Sequence, residues 1–253
     1  MQMHSIGPVE MFLILAGPFV GSFIGLSAIR MGQHKSVLFG RSRCQTCLHT
    51  LGFFDLIPVI SFVVFGGRCR HCRNKIAVIY SALEISALLI AVVGIALAQP
   101  EYRLVTVLLG WCLLALSVFD LRAYILPDLL TIPLIATGVI FSLAFNSSNT
   151  IGHLIGAAVG YLSLAVIAIV YRMVRRRDGL GLGDAKLFCA AGSWLSWEAL
   201  PIVLLLGSSS ALIFAVLTRW RSVNLAAERI PFGPFLAFGF WVVWIMKYRY
   251  LLD

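Results

Sequence analysis

The chain has 253 residues, 60% of them hydrophobic and only 12% charged, with a mean hydropathy of +0.94. That balance excludes a soluble globular domain and points to an all-α, polytopic integral membrane protein. The net charge of +9 reads as a signal of topology and of contact with the lipid bilayer; nucleic acid is not an expected partner.

A spanning helix needs roughly 20 apolar residues. Runs of about that length cover 9–29, 76–98, 104–119, 126–145, 151–171, 200–217 and 230–246. A shorter run, 187–197, is an eighth span extended by its flanks or a re-entrant piece, so about eight transmembrane helices are expected. With the N-terminus outside, eight spans leave only Arg103, Lys247 and Arg249 of the 20 basic residues outside, and the outer turns QPEYR, NSSNT and SWEAL are nearly neutral. Seven spans would move either the Arg175 cluster or the Arg219 loop to the wrong face. The opening MQMHSIGPVE lacks a basic targeting region, so the first run is expected to be a retained helix. The chain thus divides into a first helix (1–29), a cytosolic insertion (30–75) and a transmembrane core (76–253). Trp194, Trp197, Trp241, Trp244 and Tyr248 are expected to be interface anchors, while His153, Cys112 and Cys189 are expected to be structural.

The insertion carries the most specific spacing. Cys44 and Cys47 form one CxxC, Cys69 and Cys72 another, with 21 residues between the pairs. Four thiolates in this pattern suit one tetrahedral Zn²⁺, and the neighbouring Arg43, Arg68, Arg70 and Arg73 favour thiolate over thiol. Disulfides are the alternative, disfavoured in a reducing cytoplasm. His49 and His71 are candidate substitute ligands, with a solvated position or a place beside the cluster as the expected reading. The apolar string LGFFDLIPVISFVVFGG between the knuckles must return to its own side, because one crossing would hold Cys47 and Cys69 about 30 Å apart. It is an interfacial hairpin, opposed to a continuous span by Asp55 and Pro58, or the small core of the zinc module.

Two carboxylates stand at the edges of apolar runs: Asp120, ending LLGWCLLALSVFD, and Asp184, in the loop-like GLGDAKL. Charges there are expensive and mark function. The charge map puts both at one face, where two adjacent carboxyls would share a proton and hydrolyse a peptide bond, one as base on water and one donating to the carbonyl. Gly181 and Gly183 free the backbone beside Asp184, and Pro127 interrupts the chain after Asp120. Simple ion pairing, Asp120 with Arg122 and Asp184 with Lys186 or Arg177, is the bland alternative. Supporting positions are Lys186, which tunes the pair or anchors the helix; Asp128, which orients Asp120 or caps the next helix; and Glu84 in the second span, where an unpaired carboxylate would be expensive, with a functional role or a structural partner.

These residues resemble those of the type IV prepilin peptidases, in order along the chain: GSFIGLSAIR, the paired CxxC knuckles with GRCRHC, YSALE, FDLRAYILPD, GLGDAKL and PFGPFLAFG. The resemblance implies a bacterial inner-membrane aspartyl endopeptidase with Asp120 and Asp184 as the catalytic pair. Its substrates would be prepilins or type II secretion pseudopilins, cut after a glycine at the cytoplasmic face. It also implies methylation of the new N-terminus with S-adenosylmethionine, an activity associated with the zinc-bearing loop. Gly25 stands where the family commonly has asparagine, Ser81 where a proline is frequent, and the tract around Phe53 and Asp55 differs from the common form. Rival readings are a peptidase-only member, a generic GxGD intramembrane protease, which would not need the CxxC module, and a transporter or assembly factor using its carboxylates as proton relays.

Overall fold

The structure, a computed structural model, describes residues 7–32, 43–44, 46–47, 49–50, 52–145, 149–176, 181–221 and 230–249. Among them are helices α1 (Pro8–Gly32), α2 (Ile60–Val64), α3 (Ile79–Leu97), α4 (Arg103–Ala123), α5 (Asp128–Phe145), α6 (Thr150–Arg175), α7 (Leu182–Leu195), α8 (Leu200–Arg221) and α9 (Gly233–Lys247). Six of these, α1, α3, α4, α5, α6 and α8, are long and apolar enough to cross a membrane. The two remaining expected runs form the 14-residue α7 and the 15-residue α9. Large apolar side chains stand exposed along the long helices, Phe12 at 68% and Val174 at 73%, a surface only a lipid solvent tolerates. The chain divides into two compact units, Met1–Trp111 with Arg249–Asp253, and Cys112–Tyr248.

In the first unit α1 lies against α3. Lipid gives no hydrophobic drive between helices, so they associate through close backbone packing and hydrogen bonds. Gly21 shows how close: a Cβ there would stand 2.6 Å from the Glu84 Cα. Gly25 does the same more loosely, facing the Tyr80 and Leu83 side chains, where a Cβ would sit at 3.1 and 3.2 Å. Trp111 Nε1 donates to the Ala87 carbonyl at 2.9 Å and ties α4 to α3, while Arg103 pairs with Glu10 of α1 at 3.2 Å. The apolar tract between the knuckles forms a 3₁₀ turn (Phe53–Leu56) and the five-residue α2. At about 1.5 Å per residue α2 is far too short to cross, as the cysteine argument required.

In the second unit α7 is buried along most of its length. It meets α6 backbone to backbone: a Cβ on Gly156 would stand 2.6 Å from the Gly192 carbonyl. His153 is fully buried with Nδ1 at 2.9 Å from the Ser193 carbonyl, the structural role its position suggested. Trp194 Nε1 donates to the Leu134 carbonyl at 2.8 Å, fastening α7 to α5. The expected anchoring role of the tryptophans divides here. Trp197 is 51% exposed, but Trp194 and Trp244 are 6% and 0% exposed, their rings 5.2 Å apart in an aromatic knot with Phe141 and Tyr248. Position near a helix end gives depth along the chain but not the facing side, and these two rings lie where α7 and α9 face one another.

Candidate functional site

The second unit positions both aspartates at helix termini. α4 does not stop at Asp120 but continues to Ala123, where Tyr124 adopts a left-handed φ of 54° and returns its amide to the Asp120 carbonyl at 2.9 Å. Asp120 therefore sits inside the last turn. Asp184 lies in the first turn of α7 and not in a loop, because the helix already begins at Leu182. Both side chains are 7% exposed.

Asp120 Oδ2 accepts the backbone N–H of Gly233 at 2.9 Å. Gly233 opens α9, so this N–H has no partner within its own helix and stands at the positive end of the helix dipole. Only glycine admits the carboxylate so closely: a Cβ at 233 would meet Asp120 Oδ2 at 2.6 Å. Asp184 Oδ1 is buried without a hydrogen-bond partner, and its carboxyl lies within the electrostatic reach of Asp120. One carboxylate is thus held by a fixed donor, and the other keeps an uncommitted oxygen.

Of the supporting positions, Gly181, Gly183, Lys186 and Asp128 lie in the same unit as the pair, and Glu84 lies in the first. Gly181 precedes α7 and its carbonyl accepts the Asp184 amide at 3.1 Å. Gly183 packs against Leu126, where a Cβ would sit at 3.1 Å. Lys186 donates to Asp128 at 2.5 Å, linking α7 to the first residue of α5. This pair uses the ammonium that the ion-pairing alternative offered to Asp184; Arg177 lies outside the described residues. Gly233 was missed as a site residue. Its signal was the PFGPF string, with a glycine just before a helix-starting proline, but its partner lies 113 positions away.

The first unit brings the four cysteines together. The Sγ atoms of Cys44, Cys47, Cys69 and Cys72 all lie within 4.8 Å of one another, a group that could hold a metal ion. Each knuckle is closed by an antiparallel bridge, Arg43 with Thr50 and Arg68 with Lys75. Amide N–H groups of Cys47 and Thr46 lower the Cys44 thiol to about 6. At Cys72 the Asn74 amide acts downward, but burial and the neighbouring sulfurs outweigh it and push the thiol up to about 11. His49 and His71 stand with ring centroids 3.6 Å apart and planes tilted by 38°, outside the sulfur group. Glu84 is 7% exposed and its Oε2 accepts the Val59 amide at 2.7 Å. It lines a cavity of about 390 Å³ that Asp55, Ser81 and Tyr80 also border.

Comparison with known proteins agrees with this division. Residues 15–98 match the Bacterial Peptidase A24 N-terminal domain, and residues 107–216 match the Type IV leader peptidase family. The chain is 38% identical over 201 residues to a protein of Burkholderia pseudomallei strain 1026b, covering 79% of this chain and 65% of that relative, just under two thirds of its length. It is 38% identical over 211 residues to one of Aeromonas salmonicida strain A449 (83% and 72%), and 32% over 209 residues to one of Pseudomonas aeruginosa (82% and 72%). All three relatives carry the name prepilin leader peptidase/N-methyltransferase. No solved structure matches. The chain belongs to the type IV leader peptidase family.

Proposed function

We propose that this chain is an aspartyl endopeptidase of the bacterial inner membrane. It removes the basic leader of type IV prepilins or pseudopilins at the cytoplasmic face, then methylates the new N-terminus using S-adenosylmethionine. The observation that carries the peptidase reading is the buried pair Asp120 and Asp184, with a backbone donor on one and an unpartnered oxygen on the other. Adjacent carboxyls cannot both ionise comfortably, so they hold one proton between them. The ionised member takes a proton from water as it attacks the scissile carbonyl, and the protonated member donates to the carbonyl oxygen. The Gly233 N–H fixes Asp120 in direction, and the Lys186–Asp128 pair fixes α7 against α5, so little reorganisation is needed at reaction.

We assign the metal of the four-cysteine group as Zn²⁺. Cys44 and Cys72 sulfurs are 3.8 Å apart, the edge expected of a tetrahedron with Zn–S bonds of about 2.3 Å. A closed four-thiolate site leaves no position for a reacting water, so its task is to fold the module. This module also favours the prepilin reading over a generic intramembrane protease.

The test is co-expression of wild type, Asp120→Asn and Asp184→Asn with a prepilin, followed by electrophoresis of the product. Leader removal by the wild type and its loss in both variants is expected; processing at the wild-type rate by either variant rejects the dyad.

A further inference from the structure

The peptidase chemistry leaves unused the cavity of the first unit. Its walls come from α1, α3 and the metal module, with aromatic side chains of Phe19, Phe23 and Tyr80 along it and the guanidinium-bearing Arg68 and Arg70 at its border. Two carboxylates line it, and they are committed differently. Glu84 Oε2 holds the Val59 amide. The Val59 bond secures a strained turn: Val59 has φ 60° and ψ −51°, and the Ile60 amide closes on the Pro58 carbonyl at 2.6 Å. A β-branched residue adopts such a γ-turn only when its surroundings impose it. Asp55 is held on one side alone. Its Oδ2 accepts the Gly52 amide at 3.0 Å, while Oδ1 is buried with no partner.

A buried carboxylate oxygen without a donor is costly and calls for one. The other walls suit a second ligand beside that donor. Aromatic faces suit a sulfonium and a planar ring, guanidinium groups suit a ligand carboxylate, and the volume lies within the range of small-molecule sites. S-adenosylmethionine has the matching parts: a sulfonium cation, a planar purine and a carboxylate.

We infer that this cavity is the methyl-transfer site, in which Asp55 Oδ1 receives the α-ammonium of the newly cut substrate and accepts its proton, while Glu84 shapes the wall by holding Val59. The inference rests on the methylation reading above and gives that activity a place and a base. The α-ammonium yields one proton to Asp55. The freed nitrogen lone pair forms the N–C bond to the sulfonium methyl as the C–S electron pair leaves with sulfur. The products are a methylated ammonium, a neutral thioether and a protonated Asp55, which returns its proton to water. Asp55 is thus a catalytic residue and Glu84 a positioning one.

The experiment uses the full-length protein in nanodiscs. Its substrates are a synthetic pre-cut peptide with a free N-terminal phenylalanine and radiolabelled S-adenosylmethionine, and calorimetry with S-adenosylhomocysteine provides a readout independent of turnover. Metal content and thermal midpoint verify folding. Asp55→Asn is expected to lower methyl-transfer kcat by about 100-fold or more, the scale of a lost general base, with S-adenosylhomocysteine affinity within about threefold of wild type; Asp55→Glu should recover part of the rate. Ser81→Trp, filling the cavity, should abolish S-adenosylhomocysteine binding. Wild-type kcat in Asp55→Asn, or wild-type affinity in folded Ser81→Trp, overturns the assignment alone. No transfer by the wild type to the pre-cut peptide removes the methylation reading, and the assignment with it.

Discussion

The second unit buries Asp120 and Asp184, the first buries Glu84 and one oxygen of the half-buried Asp55, and the two sets are built on different principles. In the second unit both acids stand on helix ends, Asp120 against the opening N–H of α9 and Asp184 within the first turn of α7. Rigid elements aim them. In the first unit Asp55 sits in a 3₁₀ turn and Glu84 on α3 reaches across to a strained loop, so part of the carboxylate chemistry goes into shaping the wall. A site carried by helices depends on the approach of backbones. A site carried by a short module depends on whatever folds that module, a task the four cysteines would perform on binding a metal ion.

The sharpest way to break this contrast is at the dyad. In purified protein, Asp120→Asn and Asp184→Asn should each lower cleavage kcat by about 10²- to 10⁴-fold, and the double variant should be little worse than either single one, because the residues act as a unit. Additive losses in single-turnover assays would mean two independent roles.

Metal removal probes the other pole. Cys44→Ser and Cys69→Ser should lose metal together by elemental analysis, and chelation should weaken S-adenosylhomocysteine binding more than cleavage. With Cys44 lowered to about 6, its thiolate exists above that pH, whereas Cys72, raised to about 11, stays protonated near neutrality. In stripped protein at pH 7.5, mass spectrometry should find alkylation at Cys44 before Cys72; equal rates would contradict the amide bonds at the first knuckle. Metal affinity should fall more steeply once pH drops below about 6, where proton competition for Cys44 adds to that already acting at Cys72.

A subtler effect is expected at Gly233. A Cβ there must push the Asp120 carboxylate aside, and Gly233→Ala should cost about 10- to 100-fold in kcat, the scale of a misplaced catalytic group. Unchanged kinetics would mean that the N–H contact does not orient the acid. Smallest of all is Lys186→Met. The pair with Asp128 is partly exposed, so its loss should lower stability by under about 1 kcal/mol in thermal unfolding.

These expectations also show what the sequence could reveal. Helix runs were legible because lipid demands long apolar stretches, and the cysteine knuckles because one ion constrains the spacing of its ligands. The short 187–197 run falls largely within α7, and the helix starts earlier than apolarity suggested, since Gly183 and Asp184 are helical despite their loop-like composition. Contacts between distant segments were not legible. Nothing local links Gly233 to Asp120, Val59 to Glu84, or Trp194 to Trp244; each is a meeting of faces that packing selects after the helices exist.

The brevity of α7 has a physical consequence for its own ends. Fourteen residues make a rod of about 21 Å, against a hydrocarbon thickness of about 30 Å. Because protein encloses α7 along most of its length, neighbouring helices and not lipid meet the shortfall, and the rod stops short of the full apolar depth. A recess at the end that carries Asp184 would give water a path to the carboxylate without any thinning of lipid, the supply that the proposed hydrolysis needs.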